Sequence, residues 1–412
     1  MKLCILGLGY IGLPTAAMFA ANGIEVHGVD VNSQVVERIN QGKIHIVEPG
    51  LADVVQKCVD NKLLCASDKP CFADCFIICV PTPFKNDNHE PDISFVETAA
   101  ESIAPFLRKG NTIILESTSP VGTTDRVAEI IKIKRPDLKI ASESSNDCEI
   151  YLAYCPERVL PGKIMEELIK NDRVIGGINE ISAQKATAIY KNFVKGDILQ
   201  TDAKTAEMSK LTENAFRDVN IAFANELSLI CDKLNINVWK LIELANHHPR
   251  VNILNPGPGV GGHCIAVDPW FIVSKTPELA KLIHMARNIN DGKSEWVEKQ
   301  VKEAVEKLNN KEPKIACLGL AFKPDIDDLR ESPSLKITFD LSREFPSAVV
   351  AVEPNICNLP ESLKLCGVKL VSLEEALVAD VVVLLVDHQE FKTIKPVFSD
   401  KQVLIDTRGI WN

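Results

Sequence analysis

The 412-residue sequence lacks three features, and each absence excludes a class of protein. Its thirteen cysteines include no CxxC pair and are odd in number, which argues against a disulfide framework or a zinc site. It has no excess of positive charge, because a net charge of −10 disfavours broad binding to nucleic acid or to an anionic membrane. It also lacks a long uninterrupted apolar run, since three glycines and Pro14 break the segment after Lys2 that resembles a signal peptide or a membrane helix.

The remaining composition is that of an ordinary globular protein. Hydrophobic residues make up 46% and charged residues 25%, and the length allows two or three domains. The many reduced thiols favour a cytoplasmic location. Cys71, Cys75 and Cys79 recur every four residues, but the segment has the pattern of a helix end followed by a buried strand. That arrangement would point the three thiols in different directions, so we expect core cysteines and no metal.

Strand and helix patterns alternate along the chain, as in a doubly wound α/β fold. Residues 202–234 contain no Gly or Pro and have a helical apolar period, which predicts one long helix that connects domains and contacts a partner chain. The predicted architecture is two Rossmann-like parallel-sheet domains, at 1–200 and 311–412, joined by a central helical domain for dimerisation and catalysis at 201–310. The predicted strands are 2–6, 25–30, 76–80, 112–117, 139–142 and 173–177, and, after a helical region at 278–309, 314–322, 348–353, 381–387 and 402–406.

A dinucleotide fingerprint follows the first predicted strand. Gly7, Gly9 and Gly12 form GxGxxG, which permits a tight turn, close approach of a pyrophosphate and close packing of a helix whose N-terminus faces the phosphates. Asp30 ends the second strand, where a carboxylate binds ribose hydroxyls and repels a 2′-phosphate. We therefore predict NAD as the cofactor. Thr82 and Thr118 lie in loops at later strand ends, where cofactor contact and plain turn structure are both compatible with the sequence.

The segment 255–270, NPGPGVGGHCIAVDPW, has the pattern of a reactive loop. It carries His263, Cys264 and Asp268, and a thiol becomes a nucleophile when nearby positive charge or a helix N-terminus stabilises the thiolate. A buried structural cysteine is the alternative interpretation.

Several polar residues elsewhere are candidates for the same site. Lys210, Asn214 and Arg217 share one face of the long helix and could hydrogen-bond an oxygen that gains negative charge, although a solvated polar face has the same pattern. In the loop after Tyr154, Glu157 could orient a water molecule and Arg158 could bind an anion, or both could be ordinary loop residues. Further basic residues with contexts suited to a diphosphate are Arg250, Lys323, Arg330 and Arg408.

Long motifs resemble the UDP-glucose/UDP-mannose-type nucleotide-sugar 6-dehydrogenases over essentially the whole chain. They include GLGYIGLP, AYCPERVLPG, AEMSKLTENAFRDVNIAFANEL, HPRVNILNPGPGVGGHCIAVDPWFIV, GLAFKPDIDDLRESPS and IDTRGIW. The resemblance implies a four-electron oxidation of C6 through a thioester on Cys264, with Lys210 as acid/base and Asn214, Asp268 and Glu157 assisting. The implied substrate contacts are Arg158, Val159, Arg217, Arg250, Asn252, Gly262, Phe322, Lys323 and Arg408. The implied NAD contacts are Gly7, Gly9, Tyr10, Ile11, Gly12, Asp30, Thr82, Thr118 and Arg330.

The resemblance also implies a substrate, a substrate-binding domain and a partner. The loop GGHCIAVDP differs from the GGSC or GGYC of UDP-glucose enzymes and favours a UDP-N-acetylhexosamine, with Ala266 and Val267 favouring N-acetylmannosamine over N-acetylglucosamine. Residues 311–412 would bind the UDP-sugar. A homodimer, or a higher homo-oligomer, would form through the central helix, with Arg250 reaching across the interface.

Two rival functions are compatible with the fold. A two-electron hydroxyacid dehydrogenase shares the GxGxxG opening but needs neither a loop cysteine nor a second α/β domain. A non-catalytic NAD-sensing protein would not need Cys264, Lys210 and Asp268 together.

Overall fold

The computed structural model describes residues 1–85, 89–143, 147–262, 264–308, 310 and 312–411. The chain forms two compact units, one of Met1–Thr212 with Trp270–Lys275 and one of Glu213–Pro269 with Thr276–Asn412. Within the described part of the chain, no helix combines the length and the apolar character needed to cross a membrane.

The first unit is built on an eight-stranded sheet that is parallel except where β6 meets β7. The strand order is β3-β2-β1-β4-β5-β6-β7-β8. The strands are β1 Lys2–Leu6, β2 Glu25–Val29, β3 Leu64–Ser67, β4 Cys75–Ile78, β5 Thr112–Leu115, β6 Tyr151–Tyr154, β7 Arg173–Gly177 and β8 Ile198–Asp202. The helices are α1 Gly12–Ala21, α2 Ser33–Asn40, α3 Leu51–Asp60, α4 Ser94–Ile103, α5 Thr123–Lys134, α6 Ile164–Lys170 and α7 Glu180–Tyr190.

Helices cover both faces of this sheet, as the alternating pattern predicts. Leu3 and Ile5 of β1 belong to one hydrophobic core, and Cys4 and Leu6 belong to the core on the opposite face. Because successive side chains of a strand point to opposite faces, a strand buried on both faces is apolar along its buried part, as β1 is from Leu3 to Leu6.

Two local predictions were wrong. Residues 139–142 form no strand and only an isolated bridge between Ile140 and Ile150. No helix directly precedes β4, because residues 68–74 are irregular. Of the three regularly spaced cysteines, only Cys75 lies in a strand.

The second unit combines long helices with a five-stranded, fully parallel sheet of order β11-β10-β9-β12-β13. The strands are β9 Ile315–Leu318, β10 Val349–Val352, β11 Lys369–Leu370, β12 Val381–Leu384 and β13 Val403–Asp406. The helices from α8 onward are α8 Ala203–Leu234, α9 Val238–Ala245, α10 Asp268–Lys275, α11 Lys281–Leu308, α12 Pro333–Glu344, α13 Glu361–Leu365, α14 Leu373–Ala376 and α15 Gln389–Lys392. The long helix predicted at 202–234 is confirmed as α8, whose residues Ala203–Thr212 belong to the first unit.

Both sheets reverse their strand order beside their first strand, and the chain leaves that strand through the same glycine turn. Gly7 has φ +87° and Gly319 has φ +90°, and each donates its N–H over 2.8 Å to the last residue of the second strand. A Cβ at Gly7 would lie 2.5 Å from the Cys79 carbonyl oxygen, and a Cβ at Gly319 would lie 2.4 Å from Val386 Cβ. Only glycine fits these turns, which open at the sheet edge where doubly wound folds bind ligands.

The acid that follows the second strand differs in surroundings between the two sheets. Asp30 is half-buried, and its Oδ2 accepts the Leu8 N–H over 3.0 Å. Glu353 is buried, and its Oε2 accepts the N–H groups of Leu320 and Ala321 over 2.7 and 3.0 Å. The second sheet therefore uses this acid to hold its own loop.

His388 completes the environment of Glu353. Its Nδ1 accepts the Asp325 N–H over 3.0 Å, so Nε2 carries the ring proton and donates to Glu353 over 3.1 Å. Burial would raise the pKa of Glu353, but the hydrogen bonds from His388 and from the N–H groups of Leu320 and Asn355 outweigh burial and lower the pKa below 4.5.

This depressed pKa predicts a contribution to acid stability. A carboxylate with a lowered folded-state pKa stabilises the fold above its ordinary pKa, and the contribution is lost as pH falls below 4.5 through the folded value. Glu353→Gln should lower the free energy of unfolding by about 2 kcal/mol at pH 7 and weaken its dependence on pH below 4.5. Urea denaturation measured across that range tests this, with the exposed Glu306→Gln as control. Equal acid sensitivity of wild type and Glu353→Gln would contradict it.

Candidate active site

The loop between β1 and α1 has the geometry of a dinucleotide cradle. A Cβ at Gly12 would lie 1.8 Å from the Gly7 carbonyl oxygen, so the turn closes only with glycine. A Cβ at Gly9 would meet nothing within 4 Å, which leaves open space beside the backbone at the residue expected to approach a pyrophosphate. Tyr10 is exposed and Ile11 is half-buried just before α1.

Asp30 is held where a ribose would need it. Its Oδ1 accepts the Asn32 N–H over 2.9 Å and its Oδ2 accepts the Leu8 N–H, so the carboxylate is fixed beside the glycine loop. The residues therefore fit NAD, and a 2′-phosphate would meet a fixed negative charge.

Thr82 and Thr118 contact each other at the carboxyl edge of the same sheet. The Thr82 hydroxyl donates to the Thr118 carbonyl oxygen over 2.6 Å, and the Ser117 hydroxyl donates to the Val80 carbonyl oxygen over 2.7 Å. Since β4 pairs with β1 and β5 pairs with β4, both loops leave the sheet at the edge that carries the glycine turn.

Glu207, which sequence patterns did not single out, holds the loop that carries Thr118. Its carboxylate, buried in the first unit, accepts the Gly122 and Thr124 N–H groups over 2.6 and 2.8 Å at the start of α5. A glutamate within a helical pattern gives no sign that it binds the N-terminus of a helix 83 to 85 residues away in sequence.

Glu157 is held in a buried ion pair. Its side chain is buried and 3.1 Å from Arg173 Nη2, while its Oε1 accepts the Arg158 N–H over 2.6 Å. The same guanidinium lies 3.3 Å from the fully buried Glu116. Burial raises the pKa of Glu116 against the lowering effect of Arg173, so two carboxylates share one buried cation.

The neighbours of Glu157 differ in accessibility. Arg158 and Val159 are half-buried, and the Arg158 Nη1 donates to the Asp172 carbonyl oxygen over 3.4 Å. Burial raises the pKa of the Cys155 thiol to about 12, which excludes it as a thiolate nucleophile near neutral pH. Arg173 and Glu116 escaped prediction because each lies within an apolar strand pattern.

In the second unit, Cys264 is exposed, and the buried Asp268 follows it by four residues. Asp268 begins α10, and its N–H donates to the Cys264 carbonyl oxygen over 2.9 Å. The Asp268 side chain is 3% exposed and accepts from Asn214 Nδ2 over 2.5 Å. The carboxylate is therefore fixed one turn after an accessible thiol. His263 lies outside the described residues.

Glycines before Cys264 make room for two predicted substrate residues. A Cβ at Gly257 would lie 2.5 Å from Arg408 Nη1, and a Cβ at Gly262 would lie 3.0 Å from the Phe322 ring. The Nε and Nη2 atoms of Arg408 lie 2.8 and 2.6 Å from Asp387 Oδ1. Asp387, a residue that sequence analysis missed, thus orients the guanidinium with Nη1 toward the glycine loop.

The remaining predicted residues of the second unit lie on its surface. Arg217, Arg250 and Asn252 are exposed, and Lys323 is half-buried. Arg330 is exposed and forms a bidentate pair with Asp328, its Nη2 2.6 Å from Asp328 Oδ2. Lys210 is half-buried on α8 in the first unit, one turn before Asn214.

The arrangement of the potential metal ligands is as follows. Among the residues described, no group of three or more His, Cys, Asp or Glu side chains is arranged to hold a metal ion. Cys71, Cys75 and Cys79 differ in burial, and burial raises the pKa of each thiol.

Three domain models of one family match consecutive parts of the chain. Residues 1–194 match the NAD binding domain of the UDP-glucose/GDP-mannose dehydrogenase family, residues 204–292 its central domain and residues 316–412 its UDP binding domain. The first match confirms NAD as the predicted cofactor, and the family name has GDP-mannose where the resemblance indicated UDP-mannose.

Individual relatives agree over the full length of the chain. A Yersinia pestis protein named UDP-N-acetyl-D-mannosamine dehydrogenase is 57% identical over 99% of both chains. A Ralstonia nicotianae protein named NDP-N-acetyl-D-galactosaminuronic acid dehydrogenase is 53% identical over 100% of this chain and 96% of its own. The solved Staphylococcus aureus UDP-N-acetyl-mannosamine dehydrogenase is 44% identical, with a TM-score of 0.83 over 100% of this chain and 95% of its own. The chain, an NAD-dependent oxidoreductase with two mainly parallel sheets, is therefore a member of the UDP-glucose/GDP-mannose dehydrogenase family.

Proposed function

We propose that the chain oxidises C6 of UDP-N-acetyl-D-mannosamine to a carboxylate, with NAD, through a thioester on Cys264. The observation that carries this proposal is the exposed Cys264, after a glycine loop, whose carbonyl oxygen accepts the N–H of Asp268 in the buried Asp268–Asn214 pair. Full-length relatives named for this substrate support the choice of sugar. The second parallel sheet also argues against the hydroxyacid rival, which needs no such domain.

The proposed chemistry has two oxidations and one hydrolysis. Lys210 accepts the proton of the C6 hydroxyl as the alcohol becomes an aldehyde. The Cys264 thiolate then adds to C6, and the oxygen takes the proton back from Lys210 to give a thiohemiacetal. Loss of a hydride from C6 and of the hydroxyl proton to Lys210 then gives a thioester. NAD, when bound, supplies the hydride acceptor in both oxidations. Water cleaves the C6–S bond of the thioester and releases the carboxylate and the thiol, which completes a four-electron reaction without release of the aldehyde.

Fixed polar groups are available to stabilise the thiolate and to orient the hydrolytic water. Cys264 directly precedes the turn that leads into α10, and a helix N-terminus stabilises a thiolate. We assign Asp268, which Asn214 holds, to orient the hydrolytic water together with Lys210 and Glu157. Because Arg173 holds Glu157 in a buried ion pair, Glu157 would act through a fixed carboxylate.

The remaining residues are assigned to ligands. NAD would be held by Gly7, Gly9, Tyr10, Ile11, Gly12, Asp30, Thr82, Thr118 and Arg330. The UDP-sugar would be held by Arg158, Val159, Arg217, Arg250, Asn252, Gly262, Phe322, Lys323 and Arg408. The support for Arg408 is the most direct, because Asp387 aims its guanidinium toward the glycine loop, and an arginine fork suits phosphate oxygens.

The reaction predicts a fixed stoichiometry and a preferred sugar. Purified protein with NAD should form two NADH for each UDP-N-acetyl-D-mannosamine consumed, followed by NADH absorbance and by chromatography of the acidic product. UDP-N-acetylglucosamine is the alternative substrate, and UDP-N-acetylgalactosamine is included because of the Ralstonia nicotianae relative. One NADH per sugar would support the two-electron rival, and turnover of none of the sugars would support the NAD-sensing rival.

The covalent step predicts the behaviour of Cys264→Ser. Loss of the nucleophile should lower the rate of carboxylate formation by about a thousandfold or more. Intact-protein mass spectrometry of rapidly quenched wild type should detect a substrate adduct that Cys264→Ser lacks. Cys357→Ser, which removes another exposed thiol of the same unit, is the matched control. Carboxylate formation by Cys264→Ser at the wild-type rate would exclude the thioester.

We also propose a homodimer through α8. Phe216, Phe223, Ile230 and Leu234 recur at intervals of seven, seven and four residues, so they line one face of the helix. These side chains are 68, 54, 45 and 60% exposed, which leaves an apolar stripe in water on a single chain. A second copy of α8 would cover the stripe, and Arg250 would then contribute to the neighbouring subunit's substrate.

A charge in the stripe should separate the subunits. Phe223→Glu should weaken dimerisation by about 2–4 kcal/mol, because a buried interface aromatic would be replaced by an unpaired carboxylate. Sedimentation velocity over a concentration series measures the shift toward monomer. Phe95→Glu, at another exposed phenylalanine on α4, is the matched control. Monomeric wild-type protein, or a Phe223→Glu variant as dimeric as wild type, would contradict the proposal.

Cytoplasmic location is part of the proposed function as well. Cys65, Cys264 and Cys357 are exposed thiols, which persist in a reducing compartment.

A further inference from the structure

A chain of buried polar groups connects two helices of the second unit to the loop before Cys264. Asn225 and Asp218 on α8 and Asn290 on α11 have no exposed surface. Arg287 on α11 is only 1% exposed. None of these residues is assigned to substrate or cofactor. Burial of polar side chains is costly, and here Asp218 Oδ2 and Arg287 Nε have no hydrogen-bond partner among the described residues, so the network is not explained by stability alone and its positions indicate a specific task.

The direction of the hydrogen bonds is fixed at the Asp218 end. Arg287 Nη1 lies 2.5 Å from Asp218 Oδ1, and Arg287 Nη2 also pairs with Asp291. Asn290 Nδ2 donates to Asp218 Oδ1 over 2.8 Å and to the Asp218 carbonyl oxygen over 3.1 Å. Because a carbonyl oxygen only accepts, the Asn290 amide must turn its NH₂ toward Asp218.

That orientation determines the next two bonds. The Asn290 Oδ1 faces Asn225 and accepts from Asn225 Nδ2 over 2.8 Å. The Asn225 Oδ1 is therefore left to accept the Gly257 N–H over 2.9 Å. The two acceptor oxygens of Asp218 thus select the amide orientation of Asn290, and through it the Asn225 orientation that binds the loop.

A second bond from α11 holds the neighbouring peptide. Ser294, one helical turn after Asn290, donates its hydroxyl to the Pro258 carbonyl oxygen over 3.1 Å. The loop then runs past Phe322, whose ring would meet a Cβ at Gly262. Gly257 and Pro258, seven and six residues before Cys264, are therefore both anchored to the long helices.

We propose that Asn225 and Asn290 are positioning residues that fix the loop 257–262, and through it Cys264 and the space beside Arg408. This inference rests on the proposed function for the role of Cys264. Loss of the Asn225 amide leaves the Gly257 N–H without its acceptor. Loss of the Asn290 amide releases the Asn225 side chain to rotate. The loop then varies in position, and a displacement near 1 Å at a reacting group can cost about a hundredfold in rate.

The first test removes the last acceptor. Asn225→Leu keeps a similar volume but cannot accept the Gly257 N–H. Hydrogen–deuterium exchange of full-length protein should become faster in the peptide covering residues 254–262. The kcat with UDP-N-acetyl-D-mannosamine should fall about ten- to hundredfold, while the Kd for NAD, measured by calorimetry, should not change. General destabilisation would alter exchange throughout the chain and NAD binding too.

The second test addresses the direction of the bonds. Asn290→Asp places a carboxylate against Asp218 and should slow turnover, whereas Asn288→Asp, two residues away on the exposed face of α11, should not. The double variant Asp218→Asn/Asn290→Asp exchanges amide and carboxylate at the same total charge. It can rebuild the contacts with Arg287 and Asn225, but the carbonyl oxygen of residue 218 then faces a carboxylate that cannot donate to it, so the double variant should recover only part of the lost kcat.

The outcomes separate the two proposals. Unchanged exchange at 254–262 in Asn225→Leu, or wild-type kcat in both Asn225→Leu and Asn290→Asp, would overturn the positioning role. If Asn225→Leu does not fold, Ser294→Ala, which removes only the bond to Pro258, should give the same localised exchange with a smaller loss of kcat, and unchanged exchange there would also overturn the role. If wild type consumes no UDP-N-acetylhexosamine, the proposed function fails, and the exchange measurements still decide whether the asparagines hold the loop.

Discussion

Carboxylates that accept loop N–H groups hold much of the backbone at the functional edges of this protein. Glu353 binds the turn after β9, Glu207 the start of α5, and Asp30 the turn after β1. Asp406 accepts from the N–H groups of three of the five residues that follow it. Charge-assisted bonds of this kind are stronger than neutral ones, and they satisfy amides that an irregular loop would otherwise leave unpaired.

The same arrangement bears on how an acidic chain can bind an anionic nucleotide sugar. Many of its buried carboxylates are directed at backbone N–H groups or at a specific cation. Arg173 is buried between two carboxylates, and Arg408 is paired with Asp387 but keeps Nη1 toward the glycine loop. An oriented guanidinium recognises a phosphate through a few fixed bonds, so the net charge of the chain matters less than the geometry of single groups.

Rigidity around Cys264 has a comparable origin. Asp268 is held by Asn214, Gly257 by Asn225 and Pro258 by Ser294, so side chains of the two long helices determine where the loop begins and where it ends. The proposed reaction, with attack on an aldehyde, a covalent intermediate and entry of water, would benefit from groups that do not reorganise between steps. The helical region thus has a structural role in the site in addition to any role in assembly.

The sequence alone determined the features that depend on local spacing. The glycines of GxGxxG, the acid at the end of β2 and the 32-residue helix α8 follow from periodicity and turn chemistry, because these constraints act over a few residues. Only the tertiary structure decided which distant groups meet. Glu157 became half of a buried ion pair because β7 brings Arg173 beside β6, and the segment after β12 supplied Asp387 to Arg408. Such partners lie 16 to 85 residues apart and leave no mark on local patterns, because strand order and helix packing set their distances.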